Sequence, residues 1–157
     1  MKDYEEKDVY MMSKQILAEH NIELNVPLTS REDAIRHVGE ILVTHGYVKE
    51  TYIEKMLARE QLTTTYIGNQ VAIPHGTEDA RDDVKNTGIS LVTVPNGIDF
   101  GDGNIAKVII GIAGIGDEHL EILSNIAIVC SEEKNVQKIA EATTKDEIIS
   151  LFDEVNE

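Results

Sequence analysis

The sequence predicts an α/β fold, a three-layer α/β/α sandwich around a small mixed sheet. Residues 88–94 ("GISLVTV") and Ile105–Ala113 ("IAKVIIGIA") are almost continuously apolar, which is typical of strands covered on both faces. Helical patterns lie before and after these runs, so helices are available to cover both faces of the sheet. At 157 residues and 41% hydrophobic content, the chain is long enough for one domain with an aliphatic core.

The N-terminal part of the chain predicts an appended segment and a first strand. Residues 1–20 form an extension that is expected to be helical from residue 7 to residue 19. One continuous domain is expected over residues 21–157, because the sequence contains no internal repeat and no linker rich in serine and proline. The stretch "NIEL" at its start is a candidate short strand.

Two helices are predicted next. Ser30 begins the first with a capping-box pattern in which Asp33 replaces the usual glutamate, and Gly46 ends it. The second is expected over residues 49–60. Its buried stripe consists of Tyr52, Ile53, Met56 and Leu57.

The remaining elements follow from turns and apolar runs. A polar loop, "QLTTTYIGNQ", precedes a short strand, "VAI", which Pro74 ends. The two long apolar strands follow, separated by the turn-rich "PNGIDFGDGN", and an apolar helix is expected from Glu118 to about Cys130. Another helix starts after Ser131, and a last one is capped by Thr144 with Glu147 three residues later. The predicted order is strand, two helices, three strands and three helices.

Charge and composition exclude several classes of function. The net charge of −15 argues against binding to a nucleic-acid backbone and favours a partner surface of basic character. No apolar run approaches the roughly 18 residues of a membrane span, and the acidic N-terminus is unlike a signal peptide. The single cysteine, Cys130, fits a reducing cytoplasm and is expected to be an unreactive core residue. The sequence lacks a Walker-type loop, a GxGxxG after a strand and an HExxH motif, so nucleotide kinases, dinucleotide enzymes and zincins have no support.

The stretch "NQVAIPHGT" places His75 between Pro74 and Gly76 at the end of a buried strand. Proline cannot extend the hydrogen-bonded ladder, and glycine removes a side chain that would crowd the imidazole. Open α/β sheets bind ligands at the carboxyl ends of their strands, which is where this histidine is expected. A histidine in an ordinary turn has the same local pattern, so the residues alone leave both interpretations open.

Two further residues are candidates for the same site. His119 is expected in the first turn of the apolar helix after Asp117, a predicted N-cap, where a neutral imidazole that donates one hydrogen bond is favoured. The backbone N–H groups of that helix start can also bind an anion. Arg59 shares a helix face with Tyr52 and Met56, which directs its guanidinium towards the following loop. Taken singly, an incidental polar residue at a helix start and a cation offsetting a helix C-terminus are the simpler interpretations.

The other histidines and one acidic turn carry weaker signals. His20 lies in the extension, His37 beside a core stripe and His45 in the last turn of a helix. All three are expected to be structural or exposed to solvent. Asp99 and Asp102 flank a glycine-rich turn and are expected in a solvated loop.

At several separate places the sequence resembles the IIA domain of the bacterial sugar phosphotransferase system, and most closely its mannitol-type branch. The resemblance rests on "REQLTTTYIGNQVAIPHGT", "DVKNTGISLVTVPNGIDF" and "KVIIGIAGIGDEHLEILSNIAIVCSEE", and it covers roughly residues 21–155. The fold of that family is also an α/β sandwich with the order of strands and helices predicted above.

The resemblance implies a cytoplasmic phosphoryl carrier. Such a domain accepts phosphate from the histidine phosphocarrier protein, HPr, and passes it to a cysteine on the IIB domain of the mannitol permease. By resemblance, His75 is the phosphoacceptor through its tele nitrogen, His119 is the second active-site histidine in "EHL", and Arg59 matches the arginine of a "REKLTPTYLG"-like stretch. His119 and Arg59 would donate hydrogen bonds to phosphoryl oxygens, each contributing about 2–4 kcal/mol. No metal, cofactor, nucleic acid or membrane insertion is implied.

The sequence departs from the family pattern in two places and leaves alternatives. "TTTYIG" lacks the proline of some relatives, and the resemblance identifies no counterpart for residues 1–20. A fructose-type or regulatory, nitrogen-related IIA protein would use the same phosphohistidine, although "TYIGNQVAIPHGT" favours the mannitol type over "GIGNGIAIPHG"-like patterns. The joint presence of His75, His119 and Arg59 argues against a non-catalytic interaction module, and a metal-dependent hydrolase lacks a set of carboxylate ligands.

Overall fold

The computed structural model describes residues 16–155 of the chain. In chain order its elements are β1 (Ile22–Glu23), α1 (Arg31–Thr44), α2 (Thr51–Leu62), β2 (Tyr66–Gly68), β3 (Val71–Ala72), β4 (Gly88–Asp99), β5 (Ile105–Ala113), α3 (Glu118–Cys130), α4 (Glu133–Ala140) and α5 (Lys145–Val155). Two short 3-10 helices, Glu19–Asn21 and Glu78–Asp83, precede β1 and follow β3.

The strands of the described residues form a mixed sheet in the order β1-β4-β5-β3-β2. β1 runs parallel to β4 and β3 runs parallel to β5, while the β4–β5 and β2–β3 pairs are antiparallel. Because β3 and β5 are parallel neighbours, the segments that follow them leave the sheet at the same edge. His75 follows β3 and His119 follows β5, so the topology brings both histidines to that edge.

Helices cover both faces of this sheet. Alternate residues of β5 point to opposite faces. Val108, Ile110 and Ile112 join a core with α3, α4 and α5, whereas Ile109 and Ala113 join a second core with α1 and α2. All five side chains are fully buried. The predicted three-layer α/β/α sandwich is therefore confirmed.

The order of elements differs from the prediction because four strands, not three, lie between α2 and α3 in the described structure. The additional strand is β2, which forms a hairpin with β3 across Asn69 and Gln70. Both turn residues have positive φ, 49° and 69°, the left-handed conformation that a tight hairpin turn requires. β2 is a short edge strand that is only partly covered, so it lacks the continuous apolar pattern of β4 and β5.

β4 extends beyond its apolar run. It continues through "PNG" to Asp99, and its pairing with β5 shifts register between Thr93 and Ile98. Gly97 has a φ of 74° within this irregular stretch. Part of the predicted turn-rich excursion is therefore strand, because a bulge lets the ladder accommodate a proline and a glycine.

The predicted caps at the starts of three helices differ in whether the side chain makes the capping hydrogen bond. At α1, Ser30 Oγ accepts the Asp33 N–H at 3.1 Å, as the capping box predicts. At α5, Thr144 Oγ1 accepts the Glu147 N–H at 3.3 Å. Asp117 is the N-cap residue of α3, as predicted, although its side chain makes no capping hydrogen bond.

The predicted helix of residues 7–19 lies mostly outside the described residues, and the domain boundary after residue 20 stays a prediction. Within the described part, Glu19–Asn21 is a 3-10 helix and Leu17 is buried in the core beneath α3, α4 and α5. None of the helices in residues 16–155 is both long enough and apolar enough to cross a membrane.

Several residues that are predicted to be structural or exposed to solvent occupy positions of that kind. Cys130 is buried, and burial raises the pKa of its thiol to about 12, so it is the unreactive core residue that was expected. His37 Nε2 lies 2.9 Å from Glu23 Oε1. The ring centroids of His20 and His45, both exposed residues, lie 4.4 Å apart. Burial, together with positive charge at His45, lowers the pKa of His20.

We expect Ile110→Ala to lower the free energy of unfolding by about 2–5 kcal/mol, because it leaves a cavity at a fully buried position of β5. Chemical denaturation followed by circular dichroism measures the change. Ile128→Ala is the matched control, since this α3 side chain is 56% exposed and its truncation should cost no more than about 0.5 kcal/mol. Equal losses in the two variants would contradict the placement of Ile110 in the core.

Candidate functional site

His75 lies just past β3, where the chain is still attached to β5. It forms an isolated parallel bridge with Ile112, whose N–H donates to the Pro74 carbonyl at 2.9 Å. Pro74 has no N–H of its own, so regular pairing stops here. The structure thus places His75 at the carboxyl end of a strand, as the sequence predicts.

A backbone hydrogen bond orients the His75 imidazole. Its Nδ1 lies 2.8 Å from the Ile73 carbonyl oxygen. Because a carbonyl oxygen only accepts, Nδ1 carries the ring proton, and Nε2 carries the lone pair when the ring is neutral. Nε2 is therefore the atom that can attack an electrophile.

The surroundings of His75 favour the neutral ring. Burial lowers its pKa below the usual 6.5, and positive charge at Arg59 and His119 lowers it further. The hydrogen bond to Ile73 and the negative charge of Glu60 raise the pKa, but by less. These interactions also show that Arg59, His119 and Glu60 all lie within electrostatic range of His75.

His119 lies in the first turn of α3, on the segment that follows β5. Its Nδ1 lies 3.1 Å from the Gly116 carbonyl oxygen, so Nδ1–H donates there. A Cβ on Gly114 would lie 2.4 Å from the His119 backbone nitrogen, so only glycine lets this turn pack against the helix start. The single hydrogen bond expected of a neutral imidazole therefore goes to Gly116. Nε2 of His119 can donate to an anion only when the ring is protonated.

Arg59 lies in the last turn of α2 and binds the end of that helix. Its Nη1 donates to the carbonyl oxygen of Thr63, the C-cap residue, at 2.6 Å. Its charge also acts on His75. The interpretation of Arg59 as a cation at a helix C-terminus is therefore confirmed, and its role at the site stays a prediction.

Glu60 is a buried carboxylate that sequence reasoning does not single out. Its oxygens accept hydrogen bonds from the Thr64 hydroxyl, the Thr65 hydroxyl and the Thr65 N–H at 2.5–3.2 Å. The Thr65 carbonyl in turn accepts the Ile73 N–H at 3.0 Å. Glu60 therefore helps, through Thr65, to hold Ile73 in place, and the Ile73 carbonyl orients His75. The sequence signal is a glutamate at a helix end followed by threonines four and five residues later.

Gly76 is required for a reason different from the predicted one. The sequence suggests that a side chain here would crowd the imidazole. A Cβ on Gly76 would instead lie 2.6 Å from Cε1 of Tyr52. Glycine therefore admits an aromatic ring of α2 against the backbone next to His75.

The arrangement suits transfer of an anionic group to nitrogen. The neutral Nε2 of His75 supplies a lone pair, and Arg59 and His119 supply groups that can meet negative charge. Phosphoryl transfer needs little more than in-line positioning and stabilisation of charge on the equatorial oxygens. Asp99 and Asp102 are both exposed, and Asp102 lies in a loop as predicted, whereas Asp99 is the last residue of β4. Within residues 16–155, no group of three or more side chains is arranged to hold a metal ion.

Several known proteins are similar to this chain in sequence and in fold. A family model described as phosphoenolpyruvate-dependent sugar phosphotransferase system, EIIA 2, matches residues 15–155. The mannitol-specific phosphotransferase enzyme IIA component of Geobacillus stearothermophilus is 57% identical over 145 residues, covering 92% of this chain and 100% of the relative. The component of the same name from Bacillus subtilis is 50% identical over 142 residues, covering 90% of this chain and 99% of the relative.

A solved structure is also similar to this chain in both sequence and fold. The complex of enzyme IIAMTL and phosphorylated enzyme IIBMTL from Escherichia coli contains a chain that is 38% identical to this one, with a TM-score of 0.81. The match covers 85% of this chain and 94% of that chain.

We expect the His75 ring to titrate below pH 6.5 in the folded protein, because burial and nearby positive charge lower its pKa. The unfolded chain then binds the proton more readily, so the His75 contribution to the free energy of unfolding decreases as the pH falls below 6.5. NMR titration of the ring resonances measures the midpoint. Arg59→Gln should raise it, since the variant removes a positive charge near the ring. A midpoint at or above 6.5 in the wild type would contradict the described environment.

Proposed function

We infer the function of this chain from its family: it belongs to the EIIA 2 family of the phosphoenolpyruvate-dependent sugar phosphotransferase system. The chain is therefore a phosphotransferase component. We propose that it carries a phosphoryl group on Nε2 of His75 and serves the uptake of mannitol. The observation that supports this most strongly is the Nε2 lone pair, oriented by the Ile73 carbonyl within electrostatic range of Arg59 and His119.

In the first step the phosphoryl donor is the phosphohistidine of HPr. Nε2 of His75 attacks phosphorus in line with the donor nitrogen. A P–Nε2 bond forms as the donor P–N bond breaks, and the electron pair of the broken bond returns to the donor imidazole. The Nδ1 proton stays in its hydrogen bond to Ile73, so the ring keeps its orientation and no proton has to leave before attack.

Arg59 and His119 act on the phosphoryl oxygens. Hydrogen-bond donors fixed in advance around the transferring group stabilise the charge that it carries in the transition state. The guanidinium of Arg59 is charged at any working pH. His119 donates from Nε2 only when protonated, because Nδ1–H is held by Gly116.

In the second step the acceptor is a cysteine of a IIB domain. Its thiolate attacks phosphorus, a P–S bond forms, and the P–Nε2 bond breaks with its electron pair returning to Nε2 of His75. The neutral imidazole is regenerated. The related complex of a IIA with a phosphorylated IIB supports this order of partners. The need for a reduced acceptor thiol supports a carrier that works in the cytoplasm.

The relatives support mannitol as the sugar. Two IIA components that are 57% and 50% identical to this chain are both named mannitol-specific. The proposed chemistry joins this chain to IIB and not to the sugar itself. The chain is therefore tied to a sugar only through the permease whose IIB domain it recognises.

We expect the protein to gain an acid-labile, base-stable phosphate when it is mixed with phospho-HPr, and His75→Ala to gain none, because the acceptor nitrogen is missing. Intact-mass spectrometry under alkaline conditions measures the incorporation. His45→Ala, which removes an exposed histidine immediately after α1, should accept phosphate at the wild-type rate. Incorporation into His75→Ala at the wild-type rate would refute the proposal.

We expect His119→Ala and Arg59→Ala to keep the fold and to slow transfer from phospho-HPr by about 10²–10³-fold each, as is typical when one preorganised donor is lost. Rapid-quench kinetics measures the rate, and circular dichroism checks the fold. His37→Ala and Arg36→Ala are the matched controls, since these residues contact Glu23 and Glu54 outside the site. An unchanged rate would remove the substituted residue from the site.

A further inference from the structure

Tyr52 is the α2 residue whose ring packs against the loop of His75. Its side chain is buried, with 4% of its surface exposed. The hydroxyl accepts the Gly76 N–H at 2.8 Å and donates to the Ile112 carbonyl oxygen at 2.8 Å. The apolar stripe of the helix accounts for the ring of Tyr52 but not for these two hydrogen bonds.

The two hydrogen bonds complete the attachment of His75 to β5. In a parallel pair, the residue opposite His75 bonds through its N–H and its carbonyl to the two neighbours of His75. The Ile112 N–H donates directly to the Pro74 carbonyl at 2.9 Å. On the other side, the Ile112 carbonyl is linked to the Gly76 N–H through the Tyr52 hydroxyl. The hydroxyl therefore takes the place of one ladder hydrogen bond.

The Tyr52 ring packs tightly against the backbone at Gly76. A Cβ on Gly76 would lie 2.6 Å from Tyr52 Cε1, so the ring and the glycine fit only as a pair. Burial raises the pKa of the phenol to about 12, so the O–H donor is present at any pH at which the protein would work. A phenylalanine would fill the same volume and leave the Gly76 N–H and the Ile112 carbonyl without this link.

We propose that Tyr52 is a positioning residue for phosphoryl transfer, which holds the backbone at His75 so that Nε2 faces the incoming phosphorus. The inference rests on the proposed function of His75. Tyr52 touches no reacting atom and acts through the peptide group between His75 and Gly76. A displacement of the nucleophile by about 1 Å lowers a rate by about 10²-fold, so this contact should act on kcat rather than on binding of the donor.

The test is Tyr52→Phe, which keeps the ring and removes only the hydroxyl. We expect kcat for transfer from phospho-HPr to fall by about 10–100-fold, with KM within about twofold of the wild-type value. Tyr47→Phe is the matched control. Tyr47 is also buried, and its hydroxyl accepts a hydrogen bond from the Asn21 side chain at 3.0 Å. This control should lose comparable stability and keep the wild-type kcat.

A second measurement separates positioning from general destabilisation. In Tyr52→Phe the Gly76 amide proton should exchange faster and the His75 ring resonances should shift, and neither change should occur in Tyr47→Phe. A wild-type kcat in folded Tyr52→Phe, or an equal loss of kcat in both variants, would overturn the proposal. If the wild-type protein takes no phosphate from phospho-HPr, the proposed function fails instead. An unchanged Gly76 exchange rate and unchanged His75 resonances in Tyr52→Phe would then still reject the positioning role by themselves.

Discussion

The hydrogen bond from His75 Nδ1 to the Ile73 carbonyl is the interaction on which the rest of the site depends. It determines which nitrogen carries the proton, which nitrogen keeps the lone pair, and the direction in which that lone pair points. Burial favours the neutral form of the ring, because it lowers the pKa of His75. Other residues hold this carbonyl and this loop in place, and the charges of Arg59 and His119 act on the pKa of the ring.

One helix, α2, supports that bond from both ends of the loop. Near its start, Tyr52 holds the Gly76 peptide through its hydroxyl. Near its end, Glu60 holds Thr65, whose carbonyl accepts the Ile73 N–H. The residue before Glu60 is Arg59, whose positive charge acts on the His75 ring. Because one rigid element carries all three groups, a shift of α2 against the sheet would disturb nucleophile and charge together. The packing of α2 in the core is therefore part of the chemistry of the site.

Local sequence patterns predict those parts of the molecule that local physics determines. β5 begins and ends at the predicted residues because its apolar run is continuous, and His75 lies where a proline ends a strand. The strand β2 and the roles of Glu60 and the Tyr52 hydroxyl could not be predicted in this way. Each depends on a partner brought close by the fold, so Glu60 has the pattern of a surface acid and Tyr52 that of an ordinary core residue. Asp117 shows the reverse case, a favourable cap pattern without the capping hydrogen bond.

The most direct test of the central claim is the nitrogen NMR spectrum of the His75 ring before and after phosphorylation, in protein labelled with ¹⁵N-histidine. The hydrogen bond to Ile73 predicts a neutral ring protonated at Nδ1 before the reaction. After reaction with phospho-HPr, the phosphorus should couple to Nε2, and Nδ1 should still carry its proton. A ring protonated at Nε2 before the reaction, or a phosphoryl group found on Nδ1, would contradict the account.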